Sequence, residues 1–361
     1  MLRNTAREFL AAELPMAEVR RIAGSDTAQD SALWKKLAAQ GWTGILFDET
    51  YDGAGMGLVE SAVILEEMGR ALLPGPFFST VMLAGTCIDA AASDEQKHTW
   101  LKPICQGVAC STLALLERSA SWDVDAVELT ATGSRLNGEK LFVPDAGAAS
   151  FLVVAARAGS DLALFIVDCK APGVTITPMA ALDLTRRLDQ VTFHNVEATP
   201  LATGDKARQA LQRALDVAAA GLCAEMTGGM QRVLDQTVQY AKTRKQFGAV
   251  IGQFQAVQHL CADMLVYTES SRSAAYYAAW ALQERIPEAR LAVSSAKSYT
   301  SEAYREVGNR GIQVHGGMGF TWENDLHLYY RRAKASEIAF GDAVFHRERI
   351  ASLLLAGNHH S

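Results

Sequence analysis

The sequence predicts an α+β protein in which a helical domain, an antiparallel β-domain and a second helical domain follow one another. Apolar residues recur at helical spacing in the first part of the chain and again in the last part. Between them lie short β-rich runs without helices, which is typical of an antiparallel sheet rather than a βαβ array. A chain of 361 residues has room for two or three domains of roughly 100–200 residues each. We therefore predict domains at 1–108, 109–203 and 204–361.

Two apolar segments predict the helices of the N-terminal domain. Residues 31–49 carry apolar side chains at helical spacing up to Gly41, where the helix is expected to stop. Residues 58–73 place apolar side chains around most of a helix, which indicates burial on several sides. The Leu-Pro-Gly-Pro run at 73–76 is expected to end this second helix.

The middle of the chain is predicted to form strands and hairpins. Residues 127–143 contain β-rich runs around Asn137-Gly138, and this dipeptide is a strong signal for a two-residue hairpin turn. Four further apolar or alternating runs follow, and each is bounded by Gly, Pro or Asp. These runs lie at 151–157, 162–168, 173–179 and 190–196.

Three long helices are predicted in the C-terminal domain. The first carries an apolar stripe at three- and four-residue steps and ends near Thr243. The second spans 254–284 and has Ala, Tyr and Trp on almost every side, so we expect another chain to cover part of it. The third opens with Pro287 and is expected to close at Gly308 or Gly311.

Composition and charge exclude several classes of protein. The chain has 34 basic and 40 acidic residues and a net charge of −6, which argues against a nucleic-acid or anionic-membrane binder. No run approaches the ~20 apolar residues of a membrane span, and the N-terminus lacks the apolar region of a signal peptide. Six cysteines without paired spacing indicate a reducing compartment, so we predict a cytoplasmic protein. His315 and His327 lack the spacing of metal ligands, and no metal site is predicted.

Residues 243–255 form the first candidate binding motif. A long helix ends in Arg244 and Lys245, then Phe247 and Gly248 follow, and Gln255 opens the next helix. Cations and backbone donors at helix termini suit a diphosphate, and an aromatic ring suits an adenine. The alternative is a helix C-cap, in which basic residues belong in the last turn and Gly follows.

Residues 313–320 form the second candidate motif, which contains the adjacent pair Gly316 and Gly317. Because glycines have no side chain, a ligand can approach the backbone there. The alternative is a helix-to-loop turn in which Gly supplies a positive φ.

In this order and on this layout, the two motifs resemble the acyl-CoA dehydrogenase family. Residues 32–77 look like the N-terminal domain of that family, and 243–264 and 312–334 look like its two C-terminal signatures. The resemblance implies an α domain, a small β-domain and a four-helix bundle that builds a homotetramer, with FAD at a subunit interface. The residues that would hold the ADP half of the neighbouring subunit's FAD are Arg244, Phe247, Gln255, Gln313, Gly316 and Gly317.

The chemistry implied by the resemblance is α,β-dehydrogenation of an acyl-CoA thioester, in which a carboxylate removes the α-proton and FAD accepts a hydride. In one branch of the family this base is a Glu after the glycine pair, and the matching position here is Phe340. In another branch it precedes the first motif, and the matching positions are Ala218 and Ala219. The acids near these positions, with Asp342 as the first candidate, are Asp342, Glu337, Asp216 and Glu225.

The loop that would face the flavin ring also departs from the family. Two positions that carry hydroxyl groups in the family are Leu116 and Pro144 here, and Pro144 also lacks an N–H. Glu117 and Phe142 still match the family and are predicted to contact the cofactor. The ADP-binding residues are therefore kept, while the ring-facing residues are changed.

These departures leave several functions open. The first is an acyl-CoA dehydrogenase-like oxidoreductase of fatty acid or steroid catabolism whose catalytic base is displaced. Electron-transfer flavoprotein is its candidate partner. The second is a non-catalytic subunit of a heterotetramer, similar to the family members that act on sterol-derived CoA thioesters, which contributes half of its partner's FAD site. Further alternatives are a flavin-free structural protein on the same fold, a nitroalkane oxidase and an acyl-CoA oxidase.

Overall fold

The computed structural model describes residues 1–357, so the last four residues of the third predicted domain lie outside the described residues. Within 1–357 the chain forms twelve α-helices and ten β-strands, together with short 3-10 turns and one π-helix at Phe78–Gly85. The helices are α1 (Leu2–Glu13), α2 (Met16–Ala23), α3 (Ser31–Ala39), α4 (Leu58–Ala71), α5 (Thr86–Ala91), α6 (Asp94–Trp100), α7 (Lys102–Cys105), α8 (Gly204–Thr243), α9 (Gln255–Gln283), α10 (Ala289–His315), α11 (Leu326–Ile338) and α12 (Ala343–Gly357). The strands are β1 (Ser111–Ala114), β2 (Thr130–Thr132), β3 (Arg135–Pro144), β4 (Phe151–Ala158), β5 (Asp161–Asp168), β6 (Val174–Pro178), β7 (Leu188–Glu197), β8 (Thr199–Thr203), β9 (Lys245–Gln246) and β10 (Ala249–Val250).

The chain divides into two compact units. The helical unit contains Met1–Val19, Leu58–Leu73 and the chain from Ala219 onwards, and the β-unit contains Arg20–Gly57 and Pro74–Ala218. Helix α8 begins in the β-unit and continues into the helical unit. The predicted order of helical, β and helical segments is confirmed, and the three-domain limits stay a prediction.

The β-unit is built on an eight-stranded sheet. Seven strands follow the order β6-β7-β3-β2-β4-β5-β8, and the eighth, β1, pairs with β4. All pairings in this sheet are antiparallel except β1 with β4 and β2 with β4, which are parallel. Strand β7 alternates, so that Val191 and Phe193 are buried, while β4 and β5 are buried along most of their length. Strand β7 therefore has one buried face, whereas β4 and β5 are covered on both faces.

The predicted hairpin turn at Asn137-Gly138 is wrong. The turn lies four residues earlier, at Gly133-Ser134, because Thr132 pairs with Arg135 across it. Asn137 and Gly138 lie inside β3, where the register with β7 shifts. Gly138 has a φ of +133°, and a Cβ there would lie 2.6 Å from Leu129 Cδ1. The positive φ that glycine permits is used here at a register shift inside a strand rather than in a turn.

The third helix of the C-terminal region does not close at Gly308 or Gly311. Helix α10 continues through both residues to His315. A Cβ on Gly308 would lie 2.9 Å from Tyr330 Cδ2, and one on Gly311 would lie 2.7 Å from Val233 Cγ1. These glycines allow neighbouring side chains to pack closely against the helix, a role that a single sequence does not distinguish from a helix stop.

Helices α4 and α8 cross in direct backbone contact. A Cβ on Gly69 would lie 1.9 Å from the Glu225 carbonyl oxygen, and one on Gly228 would lie 1.7 Å from the Glu66 carbonyl oxygen. No larger residue fits at either position without moving a helix. The crossing therefore depends on glycine on both helices.

A charge network fastens α1 and α9 to α4 beside this crossing. Glu66 is 2% exposed and accepts from Arg3, Arg272 and Tyr276 at 2.7, 3.1 and 2.9 Å. Burial alone would raise the pKa of Glu66, but the hydrogen bond from Arg3 and the charges of Arg272 and Arg3 hold it below its usual range. Glu66 is therefore ionised in the folded chain at neutral pH.

We expect Glu66→Gln to lower the free energy of unfolding at pH 7 by roughly 1.5–3 kcal/mol, because the lost contacts are charge-assisted. Since the pKa of Glu66 is depressed on folding, its stabilisation is complete above the unfolded pKa and is lost as the pH falls through the folded value. The stability gap between wild type and variant should therefore narrow below about pH 4. Thermal unfolding between pH 7 and pH 3 measures this gap, and Glu284→Gln, at an exposed glutamate, is the control. A gap that stays constant with pH would contradict the prediction.

Two further observations concern the whole described chain. None of the helices within 1–357 is both long and apolar enough to cross a bilayer. All six cysteines are free thiols, four of them are buried, and burial raises the pKa of the Cys87 and Cys223 thiols to about 12. The thiols are thus held in their neutral form.

Candidate functional site

The first motif forms a short hairpin after α8. Arg244 continues the helical pattern by donating its N–H to the Tyr240 carbonyl oxygen at 2.8 Å. Strands β9 and β10 pair antiparallel around the two-residue turn Phe247-Gly248, and both turn residues have positive φ values of +52° and +76°. This is the backbone of a type I′ turn, which suits the twist of a hairpin. The Phe247 side chain is 93% exposed at its tip.

The second motif ends α10. Gly316 has φ +60° and ψ −140°, and its N–H caps the helix by donating to the Gln313 and Ile312 carbonyl oxygens. A residue with a side chain is strained in this conformation, so glycine is needed here. A Cβ on Gly316 or Gly317 would meet no atom within 4 Å, so the backbone at the pair is open on the side where a side chain would lie.

Packing brings the two motifs together within the helical unit. The rings of Tyr240 and His315 stack with centroids 4.2 Å apart, and Ala241, Ile251 and Val314 form one apolar cluster. His315 Nδ1 lies 2.8 Å from the Gly311 carbonyl oxygen, and burial lowers the pKa of His315. His315 is therefore a neutral structural residue that joins the ends of α8 and α10.

The residues of the two motifs fit the ADP half of FAD. Arg244, Gln255 and Gln313 are exposed polar side chains, and the backbone at Gly316 is open to a ligand. Helix α9 begins at Gln255, and the positive end of the helix dipole favours an anion there. A guanidinium, helix N–H groups and an exposed aromatic ring together suit a diphosphate next to an adenine.

A polar cleft that the sequence did not predict lies beside these motifs. Its volume is about 680 Å³, and it is lined by the second half of α8 and the loop after the glycine pair. Charges of both signs line it, with Arg232 and Asp235 on the helix and Glu323 and Asp325 on the loop. No periodicity in a single sequence indicates that these two segments face each other.

Glu117 and Phe142, the two predicted cofactor residues of the β-unit, have different surroundings. Glu117 accepts from buried Lys140 at 2.5 Å and from the N–H groups of Glu128 and Leu129 at 2.8 and 2.9 Å. Burial would raise the pKa of Glu117, but Lys140 and these N–H groups hold it below its usual range. Its carboxylate thus fastens the 115–129 segment to β3.

The end of β3 near Phe142 presents few hydrogen-bond donors. Phe142 is 37% exposed, has a φ of +53° and donates its N–H to the Met179 sulfur at 3.4 Å. Leu116 is 7% exposed, and Pro144 has no N–H to donate. The hydroxyl groups expected in the family are thus replaced by apolar groups.

Two of the four candidate acids lie next to the turn between α11 and α12. Asp342 is exposed and caps α12, since its Oδ1 accepts the Phe345 N–H at 2.8 Å. Glu337 is paired with Arg305 and with Lys334. Both acids have the structural roles that compete with a catalytic one.

The other two acids lie on α8 and are buried. Asp216 accepts from Gln212 at 3.3 Å. Glu225 faces Arg332 at 2.5 Å, and both side chains are at most 5% exposed. Arg332 also donates to the Leu73 carbonyl oxygen at 3.3 Å, so this buried ion pair ties α8 and α11 to the end of α4.

Comparison with known proteins identifies the family. The model described as "Acyl-CoA dehydrogenase, N-terminal domain" matches residues 1–108, and "Acyl-CoA dehydrogenase, C-terminal domain" matches 208–355. "Acyl-CoA dehydrogenase IpdE2" of Mycobacterium tuberculosis is 34% identical over 338 residues, which cover 93% of this chain and 91% of that protein. The chain belongs to the acyl-CoA dehydrogenase family.

Solved structures of acyl-CoA dehydrogenases have the same fold. A variant of the Tcur3481-Tcur3483 steroid ACAD has a TM-score of 0.90 at 31% identity and covers 99% of this chain and 98% of that chain. The ChsE4-ChsE5 complex from Mycobacterium tuberculosis has a TM-score of 0.89 at 27% identity, with coverage of 98% and 96%. The predicted fold, FAD as cofactor and an oxidoreductase that acts on acyl-CoA thioesters are therefore confirmed.

Proposed function

We propose that the chain serves FAD-dependent α,β-dehydrogenation of an acyl-CoA thioester as one subunit of a cytoplasmic tetramer, with domain limits at 1–108, 109–203 and 204–361. The observation that carries this proposal is the pair of motifs held together by the Tyr240–His315 stack. When bound, FAD accepts the hydride that leaves Cβ of the substrate. The side chains described here bind, orient and desolvate the reactants.

In this proposal the exposed motif residues bind the ADP half of a neighbouring subunit's FAD. Arg244 donates to the diphosphate, Phe247 packs against the adenine, and the Gly316-Gly317 backbone lies against the phosphates. Gln255 and Gln313 donate from their amide groups. Glu117 holds the loop that faces the ring, and Phe142 excludes water from it.

The proton is removed from the α-carbon by a carboxylate, for which Asp342 is the proposed residue if the chain is catalytic by itself. Asp is one methylene shorter than Glu, so the backbone must approach the substrate closely, and Gly341 beside it permits this. Because Asp342 also caps α12 through Oδ1, the cap and the catalytic role compete for the same carboxylate.

A second candidate is a non-catalytic subunit of a heterotetramer that contributes half of its partner's FAD site. This version is supported by Phe340, an apolar residue that is 8% exposed and that the resemblance pairs with the base of one branch of the family. All four nearby acids have structural partners in the described chain, which also supports it. The relative named as a ChsE4-ChsE5 complex is a precedent for two different subunits. Electron-transfer flavoprotein is the proposed electron acceptor in both versions.

Expression of the chain alone distinguishes the two versions. If the chain is catalytic by itself, we expect one FAD per chain and flavin bleaching by acyl-CoA, and Asp342→Asn should abolish bleaching without changing the flavin content. If it is a non-catalytic subunit, the chain alone should not bleach, and co-expression with a homologous subunit that carries the Glu should restore activity. A pure, colourless chain that stays inactive with every homologous subunit would contradict both versions.

A further inference from the structure

The turn between α11 and α12 has an unusual backbone. Phe340 has a φ of +58° and Gly341 a φ of +97°, so two consecutive residues are left-handed. For a residue with a side chain this conformation costs roughly 1–2 kcal/mol and persists only where its surroundings enforce it. The contacts of the two carbonyl groups of this turn show what enforces it.

Lys297 of α10 holds one of these carbonyl groups. Its side chain is fully buried, and its Nζ lies 2.9 Å from the Gly341 carbonyl oxygen. The same ammonium contacts the Ser336 and Glu337 carbonyl oxygens at 3.2 Å each and Ser301 Oγ at 2.8 Å. An ammonium at the C-terminal carbonyl groups of α11 is favoured by the helix dipole.

His346 of α12 holds the other carbonyl group. The His346 ring is fully buried, and its Nε2 lies 3.0 Å from the Phe340 carbonyl oxygen. A carbonyl oxygen only accepts, so Nε2 carries the proton and donates it. Burial, with the nearby charge of Lys297, lowers the pKa of His346 to about 3, so the ring is neutral. Its Nδ1 has no hydrogen-bond partner among the described residues.

We propose that Lys297 is a positioning residue that, together with His346, sets the direction in which the side chain of residue 340 leaves the backbone. Capping of α11 alone requires only the Ser336 and Glu337 carbonyl groups. The contacts to the Phe340 and Gly341 carbonyl groups lie beyond the helix and define the peptide planes on both sides of Gly341. The proposed function is the basis for placing the side chain of residue 340 beside the acyl thioester. The positioning of that side chain by Lys297 and His346 does not depend on the proposed function.

The experiment uses the full chain labelled with 4-fluorophenylalanine. The ¹⁹F resonance of Phe340 is assigned as the one that is lost in Phe340→Leu. We expect Lys297→Met to shift or split this resonance and to speed amide exchange at 339–343 by roughly tenfold or more, because charge-assisted contacts are lost. His346→Phe, on a different helix, should move the same resonance.

Two controls separate positioning from general stability. Lys334→Met makes the same change at a half-buried lysine of α11 that pairs with Glu337, and it should leave the Phe340 resonance in place. Glu66→Gln destabilises the helical unit elsewhere and should also leave it in place. A Phe340 resonance and exchange rates at 339–343 that are unchanged in both Lys297→Met and His346→Phe would overturn the proposal. The shift of the same resonance on addition of octanoyl-CoA to wild type tests the proposed function separately.

Discussion

Replacing Arg332 with methionine is expected to lower the free energy of unfolding by about 3–5 kcal/mol, because the Glu225 carboxylate loses the cation that it faces in the interior. Both side chains are at most 5% exposed, so water does not replace the lost contact. Urea unfolding at a fixed protein concentration, followed by circular dichroism, measures the effect.

The double variant Glu225→Leu with Arg332→Met identifies the cause. Removing both charges should restore stability to within about 1–2 kcal/mol of wild type, because the interior then contains no uncompensated charge. Arg347→Met is the matched control, since Arg347 pairs with Glu302 on the exposed side of α12 at 2.6 Å. A surface pair contributes only about 0–1 kcal/mol. Equal losses in Arg332→Met and Arg347→Met would show that burial of the pair is not the reason.

Replacing Arg244 with alanine is expected to weaken FAD binding by roughly 1.5–3 kcal/mol, or about 10–150-fold in Kd, because a charge-assisted contact to the diphosphate is lost. The Arg244 side chain is exposed, so the substitution should leave the free energy of unfolding of the apoprotein unchanged within about 0.5 kcal/mol. Fluorescence titration of the apoprotein with FAD measures the affinity.

Lys242→Ala is the control for this variant, because it removes an equally exposed cation from the last turn of α8. It should change the affinity by less than about threefold, since the general surface potential alone contributes little at physiological salt. Retention of FAD by Arg244→Ala at wild-type affinity would mean that the first motif is only a helix terminus.

The elements with strong periodicity could be predicted from the sequence. The helix that ends near Thr243 and the α9 helix follow from apolar spacing, and the middle strands follow from their alternation. The predicted end of the third helix failed, because Gly308 and Gly311 adapt α10 to Tyr330 and Val233, which lie far away in sequence. Periodicity reports on one face of one element and contains no information about the partner of that face.

The site could be predicted only in part. The backbone-driven features, such as the Phe247-Gly248 turn and the open Gly316-Gly317 pair, follow from glycine placement. The roles of the acidic residues could not be predicted in this way, because the residue type is the same whether a carboxylate caps a helix or removes a proton. The cap made by Asp342 and the buried partner of Glu225 become visible only in three dimensions.

The crossing of α4 and α8 has a mechanical consequence. Because Gly69 and Gly228 bring backbone against backbone, the separation of the two helices is set by peptide atoms and not by compressible side chains. Such a contact sets the shortest distance that the helices can reach, so they can rotate about it but cannot move closer together. Charge contacts join each of the two helices to further helices: Glu225 of α8 pairs with Arg332 of α11, and Glu66 of α4 pairs with Arg3 of α1 and Arg272 of α9. Ligands of different size are therefore not accommodated by closer packing of α4 against α8, and such adaptation has to come from other elements.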